Sequence, residues 1–133
     1  MAEKIAFELV SPDRLLMSVE ADAVAMPGME GDFGVLPGHA PLISALRAGI
    51  IAVEGGSEGP EQVYIAGGFA EVAADRLTVL AEEAVPVDDM DSTEIEQRIQ
   101  EANDELAGAE DGEQRRLAEG KVGVLQEMLI SSR

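Results

Sequence analysis

Short apolar runs with a period of two fill the chain as far as about Val87. Ile5, Phe7 and Leu9 alternate with polar or small residues, and the same spacing recurs at Val19, Ala21, Ala23 and Ala25, at Val63 and Ile65, and at Leu77, Val79 and Ala81. Successive side chains of a strand point to opposite faces, so each run predicts a strand with one buried face. Turn residues separate the runs, at Pro12-Asp13, Pro27-Gly28, Gly55-Gly56, Gly67-Gly68 and Ala74-Asp75. The pattern predicts about eight to ten short, mostly antiparallel strands in two packed sheets, a β-sandwich.

The pattern changes after Pro86, where Gly and Pro become rarer and a 3.6-residue period begins. One apolar stripe comprises Ile95, Ile99, Ala102 and Leu106. After a break from Gly108 to Gly112, a second stripe between about Glu113 and Ile130 comprises Leu117, Val124, Leu125, Met128 and Leu129. Such a short connection predicts an antiparallel helical hairpin. The chain is therefore predicted to have two domains, a β-sandwich over residues 1–87 and a helical hairpin over residues 88–133.

The ends and the interior of the predicted hairpin carry further signals. Thr93 and Glu96 have the spacing of a capping box, and Asp91 with Glu94 offers an alternative, earlier start. Gly120 and Gly123 interrupt the second helix, and each costs about 1 kcal/mol relative to Ala. The hairpin is therefore expected to be marginally stable.

Composition narrows the classes of partner. Of the 133 residues 46% are hydrophobic but only 3% aromatic, so the core is expected to be aliphatic. The net charge of −18 repels nucleic acids and anionic lipid surfaces. No apolar run approaches the roughly 20 residues of a spanning helix, so any membrane association is expected to go through another protein. The start from Met1 to Ile5 lacks the features of a signal or transit peptide, which indicates a cytoplasmic chain.

The most distinctive stretch runs from Pro27 to Leu42 and contains four glycines, Gly28, Gly31, Gly34 and Gly38. A phosphate-binding loop needs Gly-Lys-Ser/Thr before a helix, which this stretch lacks. The glycines imply turns with positive φ or close backbone approaches. Two readings remain open, a plain connector between strands and a shaped edge that docks on another protein.

Candidate chemistry is sparse. His39 is the single imidazole, and its neighbours Gly38, Ala40 and Pro41 provide neither a nucleophile nor an orienting carboxylate. The chain has no Cys, so thiolate chemistry is excluded. The acidic residues Glu82-Glu83 and Asp88-Asp89 lack the offsets of a calcium loop. We therefore expect no catalytic residues, no cofactor and no metal, that is, a protein that is not an enzyme.

Taken together, the motifs resemble one family, the epsilon subunits of bacterial F-type ATP synthases. The resemblance is carried by Pro27-Gly28, Gly31, Phe33 through Leu42, Gly49-Ile50, Gly67 through Val72 and Thr78 through Ala81. Order, spacing and the change to a helical tail agree over the whole chain, with the specific motifs ending near Ala84. In the tail the agreement is in length, in position and in the opening Asp89-Met90-Asp91.

The resemblance implies a ten-stranded β-sandwich in the rotor, bound to the gamma subunit and resting on the c-ring. It implies that the ring-contacting edge comprises Met29, Glu30, Gly31 and Asp32. Loops of the ring usually present an Arg in this family, so the two carboxylates would complement it. The residues implied to face gamma are Ser11, His39 and Ser44. The implied location is peripheral, at the cytoplasmic face of the bacterial inner membrane.

For the tail the resemblance leaves an alternative function, inhibition of ATP hydrolysis by a hairpin that inserts beside the beta subunits. Some members also bind ATP through Asp-x-x-Arg-Ala, but the matching run here, Asp91 to Ile95, has Glu94 in place of the Arg. From Asp88 onward 13 acidic side chains face 5 basic ones, a net charge of −8. We therefore expect no useful ATP affinity and weak or absent inhibition.

Overall fold

The computed structural model describes residues 4–56 and 62–131. The chain divides between Pro86 and Val87 into two compact units. The first unit is built from strands and the second from helices. The boundary expected from the sequence, after residue 87, lies one residue further along.

Within the described ranges the first unit contains ten strands: β1 (Ile5–Val10), β2 (Leu15–Ala21), β3 (Ala23–Gly28), β4 (Gly31–Val35), β5 (Leu42–Leu46), β6 (Gly49–Glu54), β7 (Gln62–Ile65), β8 (Gly68–Val72), β9 (Arg76–Ala81) and β10 (Ala84–Pro86). The second unit contains a 3-10 turn (Val87–Asp89), α1 (Ser92–Ala107) and α2 (Gly112–Ser131). The predicted fold class, a ten-stranded β-sandwich followed by two helices, is confirmed.

Hydrogen bonds join the strands in the order β10-β7-β6-β3-β5-β8-β9-β1-β2, and β4 pairs with β3 beside this path. The pairings are antiparallel except that β1 and β9 run parallel. Strand β3 connects the two halves of this strand order, β10-β7-β6 and β5-β8-β9-β1-β2. Its residues Ala23–Ala25 pair with β6, whereas Gly28 pairs with Leu46 of β5. The second half, β5-β8-β9-β1-β2, is called the five-strand sheet below.

One apolar cluster fills the first unit, and strands β1 to β9 each contribute at least one buried side chain to it. Ile5, Phe7 and Leu9 alternate inward along β1, as predicted from their spacing. The predicted inward residues of β7 and β9 are also buried, namely Val63, Ile65, Leu77, Val79 and Ala81. Period-two patterning therefore identified the core face of these strands correctly.

The prediction of one continuous face from Val19 to Ala25 was wrong. Ala21 is buried, but in β3 the buried side chains are Val24 and Met26, while Ala25 is exposed. The chain bends at Asp22, whose backbone N–H donates to the carbonyl of Glu54 at 2.8 Å. This single residue between the strands shifts the alternation by one position, so the other set of side chains faces the core.

Both helices begin at an aspartate cap. The Asp91 carboxylate accepts a hydrogen bond from the Glu94 backbone N–H at 2.8 Å, so the earlier of the two predicted starts is the one that forms. The Asp111 carboxylate accepts likewise from the Gln114 backbone N–H at 2.8 Å. These bonds satisfy donors that a helix leaves unpaired in its first turn.

The two helices pack against each other, and Lys121 of α2 forms an ion pair with Glu105 of α1 at 3.2 Å. The residues of the two predicted apolar stripes are buried or half-buried, with one exception. Leu117 is exposed, and Ala118 is buried in its place. The buried face of α2 includes Leu125, which lies seven residues, or two turns, after Ala118, whereas Leu117 points about 100° away.

Candidate docking surfaces

The β3–β4 hairpin ends in a turn with two residues, Met29 and Glu30. Its last cross-strand pair is Gly28 with Gly31. A side chain at Gly28 would place its Cβ 2.5 Å from the Gly31 carbonyl oxygen, and Gly31 itself has a φ of +140°. Both positions therefore require glycine, which is the close approach and positive φ expected from the sequence.

The base of this hairpin is tied to the loop after β5. The Arg47 guanidinium forms an ion pair with the Asp32 carboxylate of β4. The Arg47 backbone N–H donates to the Pro27 carbonyl at 3.0 Å, and the Met29 backbone N–H donates to the Ala45 carbonyl at 3.0 Å. Contacts with Arg47 and Ala45 therefore fix both sides of the hairpin near its tip.

The residues expected at the ring-contacting edge lie together at this tip. Met29 is half-buried, whereas Glu30, Gly31 and Asp32 are exposed. Across residues 4–56 and 62–131, Glu30 has no ion pair or side-chain hydrogen bond, while Asp32 is paired with Arg47. The two carboxylates that the sequence analysis treated alike therefore differ in their charge environment.

An exposed line of apolar side chains crosses the five-strand sheet on its outer face. Cross-strand pairing aligns one residue from each strand in the order Ala45, Phe69, Leu80, Val10 and Leu15. We call this set the apolar row. Phe69, Leu80 and Leu15 are 58%, 56% and 55% exposed. Exposed apolar side chains scattered singly are ordinary, but a contiguous set of this kind is a candidate docking surface.

Acidic side chains border the apolar row. The next outward-facing line across the same sheet is Ile43, Glu71, Thr78, Glu8 and Ser18. Ile43 is 74% exposed and extends the apolar surface, while Glu71 and Glu8 add negative charge beside it. The surface is therefore complementary to an apolar strip with basic neighbours.

The three residues expected to face gamma do not form one cluster. Ser11 directly follows Val10 of the apolar row, whereas Ser44 pairs with the buried Ala70, so its side chain points to the opposite face of the five-strand sheet. The His39 loop is held at the opposite strand ends, because the Gly38 backbone N–H donates to the Ala74 carbonyl at 2.7 Å.

His39 is therefore separated from the apolar row along the strands. The four steps from Arg76 to Leu80 along β9 span about 13 Å at about 3.3 Å a residue. The His39 Nδ1–H donates to the Ala40 carbonyl at 2.7 Å. Ser11, Ser44 and His39 therefore do not share one surface patch of the five-strand sheet.

Sequence reasoning missed the apolar row and Arg47. Phe69 and Leu80 sit in the outward phase of β8 and β9, so their alternation with Ala70 and Val79 was a usable signal. The presence of Val10 and Leu15 in the apolar row could not be predicted from the sequence, because it depends on which strands pair. Arg47 gave no signal, since its partner Asp32 lies 15 residues away in the chain.

The described residues offer neither a metal site nor a membrane-spanning helix. They hold no group of three or more His, Asp or Glu side chains that could bind a metal ion. In the same part of the chain, no helix is both long and apolar enough to cross a membrane.

Comparison with known proteins identifies the family. A family model described as the beta-sandwich domain of the ATP synthase delta/epsilon chain matches residues 4–87. The chain belongs to the ATP synthase delta/epsilon chain family. A protein named ATP synthase epsilon chain from Parvibaculum lavamentivorans is 46% identical over 128 residues, with 96% of this chain and 97% of that protein covered. Its counterpart from Rhodospirillum rubrum is 42% identical, with 100% and 98% covered.

Solved structures are similar over nearly the whole chain. A chain of the Euglena gracilis mitochondrial ATP synthase, in a structure of OSCP, F1 and the c-ring, matches with a TM-score of 0.73 and 26% identity, covering 98% of this chain and 82% of that chain. A chain from the central stalk and c-ring of the Tetrahymena thermophila enzyme matches with a TM-score of 0.69, covering 96% and 97%. Its 12% identity makes this second similarity one of fold alone.

Proposed function

We propose that this chain is a non-catalytic central-stalk subunit that connects the gamma shaft of an F-type ATP synthase to the c-ring and couples rotation to ATP synthesis. The observation that carries the proposal is the exposed apolar row, because monomeric soluble proteins rarely expose a contiguous apolar patch. Family membership supports it as well. The role is mechanical, since a rotor connector must transmit torque without deforming, and close-packed interiors have low compressibility.

We assign the apolar row and its flanks to the gamma interface. Five strands are four spacings wide, about 19 Å at about 4.8 Å a spacing. A surface of that width, with Ser11 beside it and His39 further along the strands, suits an interface of ordinary size, roughly 800 Å² on each partner, whereas Ser44 lies on the opposite face of β5. Glu8 and Glu71 would then meet basic groups on gamma and set the orientation of docking.

We assign the c-ring contact to the β3–β4 tip, that is, to Met29, Glu30, Gly31 and Asp32. A short turn on a tied hairpin is a well-defined point of contact, and its exposed carboxylate suits a basic group on a ring loop. The chain would then be peripheral, held at the cytoplasmic face of the bacterial inner membrane through the ring.

For the hairpin, the competing function is inhibition of hydrolysis at the beta subunits, with or without ATP binding. The charges of α1 count against ATP binding. Arg98, its only basic residue, is 4.0 Å from Glu94 in an i,i+4 ion pair, so a polyphosphate would meet acidic groups around a cation that already has a partner. Truncation after residue 87 decides between the roles, since loss of an inhibitor raises ATPase activity several-fold.

The gamma assignment is tested by titrating purified gamma subunit with the full chain carrying Phe69→Ser and Leu80→Ser. Burying a Leu or Phe side chain contributes about 1.5–3 kcal/mol when complete, and these two are a little over half exposed. We expect affinity to fall about 10- to 100-fold, with an unchanged fold by circular dichroism. The matched control is Ile130→Ser, another exposed apolar residue, outside the row. Equal affinity for the double variant and the control would refute the assignment.

A further inference from the structure

Arg47 contacts both strands of the β3–β4 hairpin at the same level. Pro27 of β3 and Asp32 of β4 are opposite each other in the register. The Arg47 backbone N–H donates to the Pro27 carbonyl at 3.0 Å, and its guanidinium pairs with the Asp32 carboxylate. One residue from outside the hairpin thus fixes the cross-strand pair next to the Gly28–Gly31 pair that carries the tip.

The Arg47 side chain packs beside the backbone at Gly49. Its Nη1 donates to the Ala48 carbonyl at 3.5 Å. A Cβ added at Gly49 would lie 3.0 Å from this Nη1 and 2.6 Å from the Pro27 Cβ. The absence of a side chain at Gly49 therefore lets the guanidinium and Pro27 pack beside the same backbone. Consistent with this, the Arg47 side chain is 32% exposed although Asp32 is 74% exposed.

The ion pair also changes the charge that the tip presents. Asp32 and Arg47 together contribute no net charge at the base of the hairpin. Glu30, one residue beyond the Gly28–Gly31 pair, is exposed, and no side-chain partner for it occurs in the described ranges. A basic group that approaches the tip therefore meets one uncompensated carboxylate rather than two.

We propose that Arg47 is a positioning residue of the ring contact: it neutralises Asp32 and holds the hairpin so that Glu30 alone presents a free carboxylate to the ring. This inference rests on the proposed function, and it narrows the ring-contacting edge from two equivalent carboxylates to one. Arg47 acts on the ring contact through its bonds to Pro27 and Asp32. Its effect is on the orientation and mobility of the tip.

The positioning role is measurable in the full chain without any partner. Hydrogen exchange of the Met29 backbone N–H, which is bonded to the Ala45 carbonyl, reports local opening of the tip. We expect Arg47→Gln and Asp32→Asn each to speed this exchange about two- to fivefold, the range of one exposed ion pair. Reversing the pair, with Asp32→Arg and Arg47→Asp together, is expected to restore slow exchange. Exchange that is unchanged in all three variants would overturn the inference.

The contact itself is measured by binding the reconstituted central stalk to detergent-solubilised c-ring at several salt concentrations. We expect Glu30→Gln to weaken binding about two- to fivefold and to flatten its salt dependence. Arg47→Gln is expected to weaken binding by loosening the tip, while the salt dependence persists or steepens because Asp32 becomes a second uncompensated carboxylate. The reversed pair is expected to restore affinity. The matched control is Glu54→Gln, which removes one exposed carboxylate from β6.

The outcomes separate this inference from the proposed function. A wild-type stalk whose ring affinity does not depend on the chain at all would refute the ring-binding function. A stalk that needs the chain but is indifferent to Glu30→Gln would leave that function standing and refute the assignment of a single carboxylate. Loss of salt dependence in Arg47→Gln would contradict the role given to Arg47, because a positioning residue should not carry the charge contact.

Discussion

Two glycines in the middle of α2 make the hairpin less stable than its packing allows. Gly120 and Gly123 lie within a continuous helix, and a Cβ added at either position would find no atom within 4 Å. Replacing glycine by alanine in a helix interior lowers the free energy of the helix by about 1 kcal/mol, because alanine loses less backbone entropy. Neither substitution meets a steric cost that would offset this gain.

We therefore predict that Gly120→Ala with Gly123→Ala stabilises the hairpin by about 2 kcal/mol, with the two contributions adding since neither new methyl group shares a contact. For amide protons of α2 that exchange through opening of the hairpin, this corresponds to protection about 30-fold higher. The assay is hydrogen exchange of the full chain, read at residues buried in α2 such as Leu125.

The control is Gly112→Ala, at the first residue of α2, where the added Cβ is equally unhindered. A helix end gains less from alanine than the interior does, so we expect a clearly smaller effect there. Protection that stays unchanged or falls in the double variant would show that the central glycines are needed for a contact, and the energetic argument would be wrong.

Three further predictions concern the tail and the domain boundary. Asp91→Ala should destabilise α1 by about 1 kcal/mol, since it removes the cap of the Glu94 N–H, whereas Asp89→Ala should not; thermal unfolding followed by circular dichroism measures both. A chain truncated after residue 87 should keep its strand signal and its gamma affinity, and an unfolded product would contradict the division into two units. Isothermal titration of ATP into the full chain should give no micromolar binding. A measurable micromolar affinity would contradict the inference that the acidic charge of α1 prevents ATP binding.

Local physical chemistry determined much of this protein from sequence alone. Strict alternation at Ile5, Phe7 and Leu9 identifies a buried strand face because side chains in a strand alternate by geometry. The Asp91–Glu94 spacing, one of two predicted starts, and the Gly108–Gly112 break marked helix ends because unpaired backbone groups there need nearby partners, whereas the Asp111 cap was seen only in the structure. The motif from Pro27 to Leu42, together with the motifs from Gly67 to Val72 and from Thr78 to Ala81, predicted the family that the comparison with known proteins confirms.

Tertiary structure decided the features that depend on which strands meet. The apolar row takes one side chain from each of five strands, so it exists only in this strand order and register. The change of phase at Asp22 coincides with a bond to Glu54, and the charge difference between Glu30 and Asp32 follows from Arg47. Long-range pairing sets these contacts, because neither cross-strand distances nor ion pairs between distant residues follow from local spacing.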